Sequence, residues 1–221
     1  MPATIVAGLH GVCMSGVIGY LHLRLRSDRM DASALQAELR SGINARLTVF
    51  GAQIWGAFQG LFGMHSRELV LVLAYPLQRA DFVEEMPGWL PGGVSIVERY
   101  SWVPTTRPEN SAPLTREGLY VLRFFDIRHA DADEIAAISR AAWQTFEVSD
   151  RYASRPLALF KEQVKAHSPV ETRGRMLLVT WYDGFASWQT SRQPSPAATD
   201  NFKRRAALTS GTVAYACRLL I

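Results

Sequence analysis

The chain has 221 residues, 48% of them hydrophobic and 20% charged, which excludes a largely disordered or fibrous protein and suits one large domain or two small ones. The formal net charge of +4 is scattered, and its densest run, Lys203-Arg204-Arg205, reads as a solvated helix face, which argues against a nucleic-acid partner. Two cysteines, Cys13 and Cys217, are too few and too far apart for a disulfide framework or a zinc site, and they suit a reduced, cytoplasmic setting.

Residues 1–20 are apolar, yet no basic segment opens them, and Gly8, Gly11, Gly16 and Gly19 interrupt the run. They read as a lead-in or an extra edge strand, with no membrane partner. In residues 19–26, Leu21, Leu23 and Leu25 alternate with Tyr20, His22, Arg24 and Arg26, the period of a strand with one apolar face. Residues 28–31 supply a turn and an N-cap, after which Leu35, Leu39 and Ile43 fall at helical spacing. A strand over 52–62, weakened by Gly56 and Gly60, forms a hairpin with a strand over 68–75, and the two glycines mark a bulge. A short helix over 79–85 ends at Pro87-Gly88, and a fourth strand covers 94–102.

Residues 104–115 hold Pro104, Pro108 and Pro113 without an apolar period and separate two patterned halves, 1–103 and 116–221, as a linker. The same order of elements then recurs. A strand over 119–127 leads into a helix over 133–146 with Ile135, Ile138, Ala142 and Phe146 on one face. A strand over 157–164, a longer connection through His167 and Pro169, and a strand over 175–182 follow. The half closes with a helix near 185–192, a second helix opened by Ser195-Pro196, and a strand over 212–220. Laid on each other without a gap, Gly19 falls on Gly118, Leu23 on Leu122 and Arg24 on Arg123. Each half is a split βαβ, ferredoxin-like unit with one bare sheet face. Two such sheets packed through those faces make an α+β barrel, the fold class expected here.

Residues 116–221 resemble the NIPSNAP-like branch of the dimeric α+β barrel superfamily. The likeness lies in Leu119-Tyr-Val-Leu-Arg-Phe-Phe125, the helix after it, the strand Leu177-Leu-Val-Thr-Trp-Tyr182, and the helix Asn201-Phe-Lys-Arg-Arg-Ala-Ala-Leu-Thr209. The resemblance implies a tandem two-domain form, with the first half a diverged copy, and a superfamily habit of homodimer formation. It also implies a menu of chemistries: cofactor-free monooxygenases, polyketide cyclases, lactone isomerases and haem-binding enzymes.

No glycine-rich phosphate loop, nucleophile elbow or zinc-helix histidine pair is present. His10, His22, His65, His129 and His167 stand singly. His65 and His129 read as turn residues, while His167 is a candidate for haem ligation or a lid. The candidate substrate-binding set is His22, Arg24, Tyr120, Arg123 and Trp181. If Leu21, Leu23, Leu25 and the counterparts Tyr120, Leu122 and Phe124 face the helices, then His22, Arg24 and Arg123 project into the barrel. A guanidinium there needs a carboxylate, carbonyls or an anionic ligand. Glu98 is the expected partner of Arg24. Aligning Arg99 with Arg218 puts Cys217 where Glu98 stands and leaves Arg123 without that partner. An arginine bonded across the interface between the halves is the other reading.

Trp55, Phe58, Tyr100, Trp102, Trp143, Trp181 and Tyr215 supply the surface to line a cavity for an aromatic small molecule. Arg123, His22 or Tyr120 would then steer an enolate or phenolate. The expected function is thus a cofactor-independent oxygenase, isomerase or cyclase without a metal. The alternative is a non-enzymatic ligand-binding or assembly module; no cofactor is expected, with haem left open. A cavity that reaches Arg123 favours the enzyme.

Overall fold

Leu21, Leu23 and Leu25 give β1 (Ile18–Ser27) one wholly apolar face, and Leu35, Leu39, Ile43 and Leu47 give α1 (Ala32–Val49) a matching stripe. All seven are buried in one cluster, each contributing about 1.5–3 kcal/mol by leaving water. Asp31 starts the helix by accepting a bond from the Ala34 amide at 2.9 Å. The computed structural model describes residues 17–163, 172–193 and 195–221, so the lead-in through residue 16, with His10 and Cys13, and the connection carrying His167 and Pro169 lie outside the described residues.

The first half continues through β2 (Gln53–Phe62), β3 (Glu68–Pro76), α2 (Ala80–Glu85) and β4 (Val94–Pro104). The second half runs β5 (Leu119–Arg128), α3 (Ala132–Phe146), β6 (Ser154–Glu162), β7 (Arg173–Tyr182), α4 (Phe185–Ser191), α5 (Pro196–Ala207) and β8 (Thr209–Leu219). Each half therefore forms an antiparallel sheet, in the orders β4-β1-β3-β2 and β8-β5-β7-β6. Their edges join, β2 to β8 and β4 to β6, and close an eight-stranded barrel. The expected fold class is the observed one: two ferredoxin-like halves building one α+β barrel. The hairpin register shifts between Ile54 and Gly56, and the β2–β8 register between Gly60 and Phe62, so both glycines sit at irregularities.

Residues 105–118 connect the halves and lie against the barrel. The Thr105 amide donates to the Leu159 carbonyl at 2.9 Å and the Leu114 amide to the Trp55 carbonyl at 2.7 Å, while Arg107 pairs with Glu147.

The register corrects the repeat. Leu23 pairs with Leu71 on β3 and Arg99 on β4, and the residue with the same neighbours in the second half is Arg123, between Leu178 on β7 and Ala214 on β8. The helices begin correspondingly at Ala32 and Ala132. The halves thus repeat at 100 residues, not at the 99 that places Gly19 on Gly118, and a one-residue slip exchanges the faces of a strand. Tyr120, Leu122 and Phe124 consequently face the barrel interior, and Arg123 faces the helices. The last strands are corrected in the same way: Cys217 matches Trp102, since they pair with Tyr120 and Tyr20, and Val213 stands opposite Phe124 where Glu98 stands opposite Arg24.

Candidate functional site

Aromatic and aliphatic side chains fill the barrel interior. Tyr20, Trp55, Phe58, Trp102, Phe160 and Trp181 are buried in one cluster, so these tryptophans and Phe58 are packing rather than the cavity walls expected from sequence. His22 is fully buried among the rings of Tyr100, Trp102 and Phe124 at 5.8, 6.4 and 5.6 Å, and neither ring nitrogen has a hydrogen-bond partner. Burial, reinforced by the charge of Arg24, lowers its pKa to about 3 and keeps the imidazole neutral.

Arg24 also faces the barrel, and its hydrogen-bonding capacity is in use. It donates to Glu68 Oε2 at 2.9 Å, Glu98 Oε1 at 3.2 Å and the Tyr215 hydroxyl at 3.2 Å. Glu68, with a fully buried side chain, also accepts from Arg26. The Tyr120 hydroxyl donates to the Arg116 carbonyl at 2.5 Å, and Trp181 Nε1 to the Glu117 carbonyl at 2.7 Å, with Arg116 stacked 3.4 Å from the Trp181 ring centre. Four of the five sequence candidates are thus held in the barrel by packing or internal bonds.

Arg123 is the fifth, and it alone of the set lines a cavity of about 290 Å³ between the second sheet and α3, α4 and α5. Phe125, Trp143, Phe146, Trp188 and Phe202 supply aromatic walls, and Thr180, Tyr182, Ser191, Arg192 and Arg205 supply polar groups. Strand alternation puts Val121, Arg123 and Phe125 on this face of β5, with Thr180 and Tyr182 beside them on β7. Arg205 comes from the buried stripe of α5 with Ala198 and Phe202. Of the run expected to be solvated, Lys203 and Arg204 are exposed and Arg205 is buried.

Phe125 and Phe202 flank the Arg205 guanidinium at 4.9 and 5.0 Å, and it donates to Ser139 Oγ at 3.4 Å. Burial and the neighbouring Arg123 lower its pKa to about 10, against a smaller opposing effect of Tyr182. Burial likewise lowers the pKa of Arg123, with Tyr182 opposing and Arg192 adding to the shift. Among the described residues Arg123 has no ion pair and no hydrogen bond, and no carboxylate lines the cavity. Burial holds the Tyr182 phenol protonated by raising its pKa, although Ser191 and the arginines pull the other way. The chemical capacity of the site is to hold and neutralise an anion against aromatic surface.

A comparison with known protein families finds none that matches, and no curated protein matches either. Solved structures do. A chlorite dismutase from Candidatus Nitrospira defluvii in complex with imidazole aligns with a TM-score of 0.58 at 6% identity, over 93% of this chain and 92% of that one. The fold is that of the dimeric α+β barrel proteins. An anthrone oxidase-like protein aligns at 0.55 with 11% identity over 94% and 93% of the two chains. A haem-binding protein from Thermus thermophilus aligns at 0.52 with 11% identity over 93% and 92%.

That haem-binding neighbour raises the question of whether this cavity would hold haem. Haem iron takes His, Cys, Met or Tyr as axial ligand. The described lining offers none of the first three, and Tyr182 is a phenol that burial keeps protonated beside several cations. These residues do not fit an axial ligand set. Among the described residues no three His, Cys, Asp or Glu side chains gather as metal ligands, and no helix is long and apolar enough to cross a membrane.

The sequence pointed to Arg123 but to the wrong side of the sheet, and it missed Arg205 and Tyr182 as cavity residues. The signal for Arg205 was its i+7 spacing from Ala198 on the buried face of α5, and for Tyr182 its match to Tyr75.

Proposed function

We propose that the protein is a small-molecule enzyme of the dimeric α+β barrel type that uses the cavity under α3, α4 and α5 to act on an apolar or aromatic substrate. The observation that carries this reading is Arg123, a cation on a central strand with no counter-charge among the described residues, facing an aromatic cavity. A substrate oxygen that gains negative charge, as in an enolate or phenolate, would meet that guanidinium where water is scarce and the charge-assisted bond is strong. Tyr182, protonated at neutral pH, would donate to the same oxygen. Arg192 is exposed and would guide an anion inwards. This chemistry suits an oxygenase, isomerase or cyclase without a metal or haem.

In this reading the chain is a tandem, NIPSNAP-like protein in a cytoplasmic setting, with the boundary between its halves in residues 104–115. Any homodimer forms without strand pairing, because the described sheet edges are consumed in closing the barrel. The second reading is a carrier that binds the same molecules without changing them, which the same cavity permits. Oxygen uptake and product analysis with a panel of phenols, anthrones and quinols separate the two. Turnover that falls at least tenfold in Arg123→Met supports the enzyme, and binding with no product from any substrate supports the carrier.

A further inference from the structure

We infer that the cavity selects aromatic carboxylates, with the carboxylate held jointly by Arg123 and Arg205 and the ring system lying between Trp143 and Phe202. This rests on the proposed use of the cavity and narrows its substrate to one class. Four observations lead to it.

First, Arg205 is 8% exposed, and among the described residues its guanidinium meets two aromatic rings and makes one long bond to a serine hydroxyl. A buried guanidinium carries five N–H donors, so this one is under-satisfied. Second, Arg123 lines the same cavity and its charge adds to the lowering of the Arg205 pKa, yet among the described residues no acidic side chain lines that cavity. A buried cation beside a half-buried one without an anion is costly, and one ligand anion bridging them removes both deficits.

Third, the first half carries apolar side chains at the corresponding positions. There Leu23 stands at the place of Arg123, and Leu39 at the place of Ser139, and the layer is sealed by apolar side chains. The second half has replaced both apolar residues by the polar groups that touch or flank Arg205. Fourth, guanidinium groups match a planar carboxylate by paired bonds, and a cavity of about 290 Å³ with aromatic walls suits a fused two-ring body rather than a macrocycle.

The test compares 2-naphthoate with 2-naphthamide, which has the same shape and no charge, by isothermal titration calorimetry on the full chain. The wild-type protein is expected to bind the acid about ten- to hundredfold more tightly than the amide. Arg123→Met and Arg205→Met should each remove most of that preference by weakening acid binding far more than amide binding, and Arg205→Lys should restore part of it. Equal affinity for acid and amide in the wild-type protein overturns the inference, as does a preference that survives in both Met variants. If Arg205→Met does not fold, the wild-type comparison and Arg123→Met still decide. Binding of both compounds with no charge preference leaves the proposed function standing and removes only the carboxylate. Binding of neither removes both.

Discussion

Leu23 and Arg123 occupy the same position in the two halves, on the helix-facing side of the first strand and flanked by Leu71 and Leu178 respectively. Leu23 is sealed under α1 with Leu35, Leu39 and Ile43, whereas Arg123 borders a cavity under α3 and α5. The two halves share a backbone plan, so this exchange separates a layer that serves stability from one that can receive a ligand.

Arg24 provides the contrasting case of an arginine whose partners are all in the protein. Glu68 is buried between Arg24 and Arg26. Its burial opposes ionisation, but hydrogen bonds from Arg26 and Arg24 prevail and hold its carboxyl below the usual range. Glu68→Gln should therefore destabilise the protein by about 1–3 kcal/mol, the worth of charge-assisted bonds to a buried carboxylate, because Arg24 keeps Glu98 and Tyr215 and Arg26 is half exposed. Urea unfolding at pH 7.5 measures this. A loss under about 1 kcal/mol would show that Glu98 and Tyr215 suffice for Arg24.

His22 makes stability depend on pH. Its folded pKa of about 3 lies below the ordinary 6.5, so as pH falls the unfolded chain takes up the proton first. The contribution of a neutral His22 is complete above about pH 6.5 and is lost by about 1.4 kcal/mol per unit as pH drops towards 3. Between pH 6.5 and 5 the wild-type protein should lose about 2 kcal/mol more than His22→Leu. Parallel urea midpoints for the two proteins over that range would contradict the assignment.

The element order and fold class were legible because strand and helix periods are written in Leu21, Leu23, Leu25 and in Leu35, Leu39, Ile43. The faces of the second half were not. The matching Gly19 and Gly118 drew the alignment one residue out of register, and in a strand one residue inverts inside and outside. Strands β1 and β5 carry apolar residues on both faces, His22 and Tyr20 lying in one core and Leu23 in another, so alternation gave no correction. Arg205 was hidden because a run of three basic residues reads as one surface, although helical geometry turns Lys203, Arg204 and Arg205 in different directions.

Haem offers an inexpensive check on the proposed cofactor-free chemistry. The cavity lining lacks a fitting axial ligand among the described residues, so hemin added to the purified protein should keep the absorption of free hemin. A sharpened and shifted Soret band saturating at one equivalent would replace the cofactor-free reading with a haem protein.

The central claim is that Arg123 is an uncompensated cation awaiting an anion, and melting curves of wild type and Arg123→Met, each with and without 2-naphthoate, test it most directly. At a ligand concentration of about 100 Kd, binding adds about 2.7 kcal/mol, which for a chain of this size raises the Tm by about 5–10 °C. The account predicts that gain in the wild-type protein, its near absence in Arg123→Met, and a ligand-free Tm of the variant equal to or above that of wild type. A variant that melts well below wild type yet gains the same shift from naphthoate would contradict it.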